Sequence, residues 1–259
     1  MDVVLKKCEN LIGWIILNHD VKRNALSVDL LNGILESLHY MEKENVRVVI
    51  IRANKGSKVW SSGFNIDELP RDGSDPLAYD NPLQKVIRTI MRIPVPVIAM
   101  AEGSIWGGAC NIAFICDLVI GTKETCLAIT PAKIGVPYNT SGILQFLDII
   151  GAHTAKEMFF TAEPISAERA LLMGIINHIV PTEELEDFTI KLANKIIANS
   201  PLSIQVIKEQ LNILGNAIPL TPQTFEHIDM LRRVAGTSKD YLEGIKAFYE
   251  KRKPEFKGE

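Results

Sequence analysis

The chain has 259 residues, 47% of them hydrophobic and 23% charged, with a formal net charge of −3. That size suits one large or two small domains, and that composition suits an ordinary globular protein with a sizeable core. The near-neutral charge excludes broad affinity for nucleic acid or an anionic membrane surface, and no apolar run reaches the ~18 residues that span a bilayer. The opening Met1-Asp-Val-Val-Leu-Lys-Lys7 carries no secretory or transit pattern. Cys8, Cys110, Cys116 and Cys126 lie far apart with no Cys-x-x-Cys pair. They predict reduced thiols in a cytoplasmic protein.

In chain order, residues 3–5 and 11–17 predict two strands joined by a polar turn at Cys8-Glu-Asn10. Ser27 predicts an N-cap for a helix reaching Lys43, in which Leu30, Leu31, Ile34, Leu35, Leu38 and Met41 keep helical spacing. Residues 47–52 read as a buried strand, followed by a short polar loop. Residues 82–91 read as a helix; 95–101, 118–121 and 126–129 read as strands. From Thr140 the pattern turns helical, over 143–150, 152–161 and 166–173. A short strand at 177–180 precedes a helix over 182–198. The last 60 residues predict helices broken near Pro201, Pro219 to Pro222 and Gly236. Strand–helix alternation with a helical tail predicts an α/β fold, with a core over 1–200 and a helical region over 201–259.

Two segments carry the chemistry. In Gly103-Ser-Ile-Trp-Gly-Gly-Ala-Cys110 a strand runs into two adjacent glycines and then a helical segment. Without Cβ atoms, backbone N–H groups can approach a ligand closely, and a helix N-terminus adds free donors and positive dipole. Such groups stabilise a developing oxyanion. Trp60-Ser-Ser-Gly-Phe-Asn-Ile-Asp-Glu-Leu-Pro70 offers a second loop of this kind, with Ser62-Gly63 before a helical start. The two loops could aim two N–H groups at one oxygen. Downstream, Gly135 and Pro137 in Ile134-Gly-Val-Pro-Tyr-Asn139 fix a turn that presents Tyr138. A phenol there either donates to a carboxylate or packs with its hydroxyl bonded structurally.

Together with Asn18-His-Asp-Val-Lys-Arg-Asn-Ala-Leu-Ser27 and Phe248-Tyr-Glu-Lys-Arg-Lys-Pro-Glu-Phe256, these segments resemble the crotonase (enoyl-CoA hydratase/isomerase) superfamily over essentially the whole chain. The resemblance implies a spiral of ββα units and C-terminal helices that build trimers and hexamers. It also implies an acyl-coenzyme A substrate, with coenzyme A belonging to the substrate and no separate cofactor. Hydratases of the superfamily carry two glutamates. Here Asn111 and Pro131 stand in those places, and no acidic residue lies between Glu124 and Asp148. Hydration needs acid–base groups of that kind. Loss of CO₂ from a malonyl-type thioester does not, because it generates the enolate directly.

Gly-Ser-Lys-Val-Trp-Ser-Ser-Gly (56–63), Asp-Pro-Leu-Ala-Tyr-Asp (75–80), Glu-Gly-Ser-Ile-Trp-Gly-Gly-Ala (102–109) and Gly-Val-Pro-Tyr-Asn (135–139) resemble, more narrowly, the decarboxylase branch that acts on methylmalonyl-CoA. That branch implies oxyanion donors at the Ser62 and Gly108 N–H groups and a carboxylate contact at Tyr138. It implies coenzyme A contacts at Lys22, Arg23, Ala25, Ser62, Gly63, Phe64, Asn65, Ile66, Gly107, Gly108, Thr130 and Lys251. Phe64, Asn65 and Asn111 depart from the branch, whose usual residues there are histidine, aspartate and glutamate. The expected function is decarboxylation of methylmalonyl-CoA or a close relative to propionyl-CoA. The alternatives are an enoyl-CoA hydratase or isomerase, and an acyl-CoA-binding protein without activity.

Overall fold

The computed structural model describes residues 2–70, 78–215 and 222–257. Two sequence expectations, the Asp75-Pro-Leu motif start and the break at Pro219, lie outside these residues. Among the described residues ten strands form two sheets. The larger has the order β1 (Val4–Glu9), β2 (Ile12–Leu17), β3 (Val48–Ala53), β5 (Val97–Ala101), β7 (Leu118–Gly121) and β10 (His178–Ile179). The smaller has β4 (Val59–Ser61), β6 (Ser104–Trp106), β8 (Cys126–Ala128) and β9 (Ile165–Ser166). From β2 to β10 the large sheet is parallel. β3 and β5 are buried along their whole length, as a sheet covered on both faces requires.

The connectivity repeats three times. β3, β5 and β7 each enter the large sheet; β4, β6 and β8 follow them into the small sheet. Helices α2 (Pro82–Arg92), α3 (Gly108–Ile115) and α4 (Thr140–Thr161) complete the three turns. This stack of ββα units is the spiral that the resemblance implied. Each turn brings the chain back to the same edge, which sets the segment after β4 beside the segment after β6.

Helix α1 (Val28–Lys43) starts where expected, with Ser27 Oγ accepting the Leu30 N–H. Leu30, Leu31, Ile34, Leu38 and Met41 are its buried stripe. α4 bends at Gly151 (φ 70°, ψ 167°), where the two predicted helical segments meet. The first hairpin differs from expectation. β1 runs to Glu9, and the turn is Asn10-Leu11, both left-handed with φ of 52° and 64°. A two-residue hairpin loop needs positive φ at both positions, and a leucine there gives no sequence signal. The predicted loop after β3 also holds β4, anchored by the buried Trp60, whose indole N–H donates to the Met100 carbonyl (3.1 Å).

After α5 (Ala167–Leu172), the last helices are α6 (Leu185–Ile197), α7 (Pro201–Gly215), α8 (Pro222–Gly236) and α9 (Lys239–Tyr249). α7 is fixed by Lys208, whose ammonium donates to the Ile90 and Val95 carbonyls and pairs with Asp117 (2.7 Å). Its Leu202, Val206, Ile207, Leu211 and Leu214 remain exposed. α9 instead turns back onto the Pro131–Ile134 turn, and a Cβ on Gly244 would lie 2.3 Å from the Ile134 carbonyl oxygen. Among the described residues no helix is long and apolar enough to cross a membrane.

Candidate active site

The first donor loop is sewn to a neighbour by its own polar atoms. Arg23 and Asn24 are both left-handed (φ 52° and 49°). The fully buried Asn24 side chain holds them so: Oδ1 accepts the His19 N–H (2.8 Å) and Nδ2 donates to the Trp60 carbonyl (3.1 Å). Ser61 Oγ donates to the Asn24 carbonyl (2.7 Å). The Ser62 N–H donates to the Arg23 carbonyl (2.9 Å). Next, Leu26 and Phe64 form a parallel bridge, with Leu26 N–H donating to the Gly63 carbonyl and Asn65 N–H to the Leu26 carbonyl. Since Gly63 and Asn65 face Leu26, the Phe64 N–H points the opposite way. Among the described residues it has no acceptor.

The second loop meets it face to face. Gly107 (φ 52°, ψ −123°) takes a conformation that only glycine adopts readily. Its N–H donates to the Ala128 carbonyl (2.8 Å). Gly108 then opens α3, so its N–H belongs to the unpaired first turn. A Cβ built on Gly108 would lie 3.8 Å from the Phe64 nitrogen, and one on Gly63 (φ 85°) would lie 2.5 Å from the Trp106 carbonyl oxygen. The two glycines are what allow this approach. The expected donor pair is therefore corrected in one member. Ser62 is excluded because its N–H is already spent on Arg23, and Phe64 takes its place beside Gly108.

These groups open into a cavity of about 80 Å³. That is room for an acyl group of a few heavy atoms. Ser62, Phe64, Gly107, Gly108, Asn111, Thr130, Pro131 and Tyr138 line it, with Ile66, Leu69, Leu83, Ile134 and Val136 as apolar walls. No carboxylate, histidine, lysine or arginine is among these lining residues. The Gly135 turn (φ 69°) and the Asn139 cap of α4 deliver Tyr138 to the floor, where it is buried edge-on to Phe146 and Phe159. Its hydroxyl donates to Asn111 Oδ1, and Asn111 Nδ2 donates to Gln145 Oε1 (3.1 Å). Burial holds the phenol well above its usual titration range, and pushes the Cys110 thiol up to about 12. Over the walls, Tyr241 and Ile245 of α9 pack with Leu69 and Val136. Tyr241 donates to the Pro70 carbonyl and Tyr249 to Asp67, both at 2.7 Å.

Of the residues expected from sequence, Ser62, Phe64, Ile66, Gly107, Gly108, Thr130 and Tyr138 converge on the cavity. Gly63 is buried between the two loops, and Asn65 caps the Ile66–Glu68 turn. Lys22, Arg23, Ala25 and Lys251 do not line the cavity. Lys22, Arg23 and Lys251 are exposed, and Arg23 borders a separate surface hollow with Lys55 and Lys58. Sequence reasoning missed Gln145 and treated Asn111 only as an absent base. Its position three residues after Gly108 puts it one helical turn below the donor.

Comparison with known proteins gives relatives of the same fold. Residues 7–259 match the model of the enoyl-CoA hydratase/isomerase family. Over 249 residues the chain is 45% identical to methylmalonyl-CoA decarboxylase of Escherichia coli (strain K12), covering 96% of this chain and 95% of that protein. A solved structure of methylmalonyl-CoA decarboxylase in complex with 2-nitronate-propionyl-CoA superposes with a TM-score of 0.97 at 44% identity, covering 99% of both chains. Human enoyl-CoA hydratase domain-containing protein 3, mitochondrial, is 34% identical over 248 residues, 93% of this chain and 78% of that protein.

Proposed function

The chain belongs to the enoyl-CoA hydratase/isomerase family, and from that premise we propose that it decarboxylates methylmalonyl-CoA, or a close malonyl-type thioester, to propionyl-CoA. The observation that carries the reading is a cavity with two unpaired backbone N–H groups and a buried phenol, lined, among the described residues, by no carboxylate and no histidine. The thioester oxygen sits between the Phe64 and Gly108 N–H groups. Tyr138 donates a hydrogen bond to the ionised substrate carboxylate, keeping its own proton, and holds that group out of the thioester plane. The bond to the carboxylate breaks, and its electron pair moves onto the thioester oxygen as an enolate while CO₂ leaves. Each N–H aimed at that oxygen contributes ~3–4 kcal/mol to the barrier reduction. The enolate carbon then takes a proton from water. A base that removes a proton has no part in this sequence.

Lys22 and Arg23, exposed beside the first donor loop, and Lys251, exposed beyond α9, are the cations that would meet coenzyme A phosphates. The exposed apolar face of α7 fits a trimer or a hexamer. The four free cysteines fit a reducing cytoplasm.

The test is to incubate the protein with methylmalonyl-CoA, malonyl-CoA and crotonyl-CoA. CO₂, propionyl-CoA and 3-hydroxybutyryl-CoA are then followed. Release of CO₂ with propionyl-CoA, and little hydration, is the expected result. Hydration of crotonyl-CoA at a comparable rate would favour a hydratase. Binding of all three thioesters without turnover would leave an acyl-CoA-binding protein.

A further inference from the structure

The Phe64 N–H is free because the residues on either side of it are held, and the two sides are held unequally. On the near side the Leu26 N–H donates to the Gly63 carbonyl at 2.8 Å, an ordinary length. On the far side the Asn65 N–H reaches the Leu26 carbonyl at 3.3 Å, just beyond the usual range. The Gly63 carbonyl and the Phe64 N–H share one peptide plane. A bond at the carbonyl end fixes one point on that plane and leaves its tilt to its neighbours. The aim of the N–H therefore depends on what holds residue 65.

That hold comes from Glu68. Its Oε2 accepts the Val28 N–H at 2.8 Å, and its Oε1 accepts from Asn65 Nδ2 at 2.9 Å. Val28 opens α1, so the carboxylate takes an N–H that the helix leaves unpaired and meets the positive end of its dipole. The Asn65 amide is oriented at both ends. Its Oδ1 accepts the Asp67 N–H (3.3 Å), and an ionised carboxylate can only accept from its Nδ2. The Glu68 N–H also donates to the Asn65 carbonyl at 3.0 Å. One side chain thus ties the start of α1, two residues past Leu26, to Asn65, one residue past Phe64. Both bonds to that carboxylate are charge-assisted, hence roughly twice as strong as neutral ones.

We propose that Glu68 is a positioning residue for the thioester. It is exposed and does not line the cavity. It touches no reacting atom and acts through the Phe64 N–H, which it keeps aimed at the thioester oxygen beside Gly108. The branch's usual aspartate at 65 can accept the Asp67 N–H in the same way, but when ionised it cannot donate to Glu68. The asparagine of this chain therefore adds a tie at the weaker side of the bridge. This role rests on the decarboxylase reading, in which the two N–H groups hold the thioester oxygen.

The experiment compares the wild type, Glu68→Gln and Glu68→Ala, each with and without an ester in place of the residue-64 amide, and each checked for folding by thermal melting. Two quantities are measured: kcat and KM for methylmalonyl-CoA, and the infrared carbonyl stretch of bound propionyl-CoA carrying an isotopic label at the thioester carbon. With two N–H groups on its oxygen, the wild type should lower that stretch relative to free propionyl-CoA. Glu68→Ala should lose part of the lowering and about tenfold in kcat, a fraction of the ~10²-fold that a 1 Å misplacement can cost, with KM changed by less than about twofold. Glu68→Gln keeps one acceptor and should fall between the two. In the ester enzyme, where the residue-64 N–H is gone, Glu68→Ala should cost less than about twofold further. If Glu68→Ala unfolds, Glu68→Gln carries the same comparison. A stretch and a kcat unchanged in the folded variants, or an equal loss with and without the ester, overturns the proposal. So does a wild type that leaves the stretch unshifted, since it has no oxyanion donor for Glu68 to position. A wild type that lowers the stretch but releases no CO₂ overturns the decarboxylase reading instead, and the stretch then decides the role of Glu68.

Discussion

The two N–H donors of the site are produced by different means. Gly108 owes its free N–H to a helix start, where the first turn has no intrahelical acceptor and the dipole is positive. Phe64 owes its own to strand alternation: a single bridge to Leu26 engages the residues on either side and turns the one between them outward. A helix start is a local feature that two adjacent glycines advertise. A bridge is a pairing between residues 26 and 64, and its register decides which N–H is left over. The difference teaches that a pair of free N–H groups can be half local and half topological, and that only the local half can be located from a motif.

The largest effect should come from closing the approach between the loops. Gly63→Val places side-chain atoms against the Trp106 carbonyl and forces a β-branched residue to a φ of 85°. Overpacking and backbone strain should together destabilise the fold by ~3 kcal/mol. Activity should fall below detection, as read by melting and by CO₂ release. Next is a direct comparison of the two amides around the bridge. An ester in place of the residue-64 amide, introduced with the hydroxy-acid analogue of phenylalanine, should cost ~10²–10³-fold in kcat. The same change at residue 62 removes a backbone hydrogen bond worth about 1 kcal/mol of stability and should leave kcat near wild type. Equal losses at both positions would return Ser62 to the donor role.

On the helix side, Gly108→Val would crowd Leu83, 3.1 Å from the new Cβ, and the Phe64 nitrogen. It should lower kcat ~10²-fold while the melting temperature shifts by only a few degrees. Ala109→Val gives the opposite pattern, because Ala109 is fully buried in the core and the added methyls destabilise by ~1–3 kcal/mol. The smallest effect is at the cavity floor. Tyr138→Phe removes one hydrogen bond to a charged group, worth ~1.5–3 kcal/mol, and should lower kcat about 10- to 150-fold. Coenzyme A affinity should be unchanged by calorimetry.

Much of the site was legible because its signals are local. Gly107-Gly108, the Ser27 cap, the Gly135 turn and the bend at Gly151 each follow from one residue's backbone preference. What the sequence concealed is non-local. Three-residue strands such as β4 and β6 are too short to show alternation, so the threefold ββα repeat left no readable period. Asn24 looks like any loop asparagine until its amide is seen joining His19 to Trp60. Phe64 lost the donor role to its neighbour because nothing in Ser61-Ser62-Gly63-Phe64 tells which amide its distant partner will consume. Asn111 was set aside as a missing base, since a motif records what a position lacks more readily than what it touches.

The docking of α9 ties the site to the order in which the chain is made. Tyr241 closes onto Pro70 across 171 positions of sequence, and Gly244 seats the helix on the Ile134 carbonyl. Synthesis runs from the N-terminus at ~5–20 residues per second, so both sheets and both donor loops emerge well before α9. The loops that bear the Phe64 and Gly108 N–H groups are thus made well before the helix that packs Tyr241 and Ile245 against Leu69 and Val136. Completion of this site therefore waits on α9, which leaves the ribosome well after both sheets and both loops.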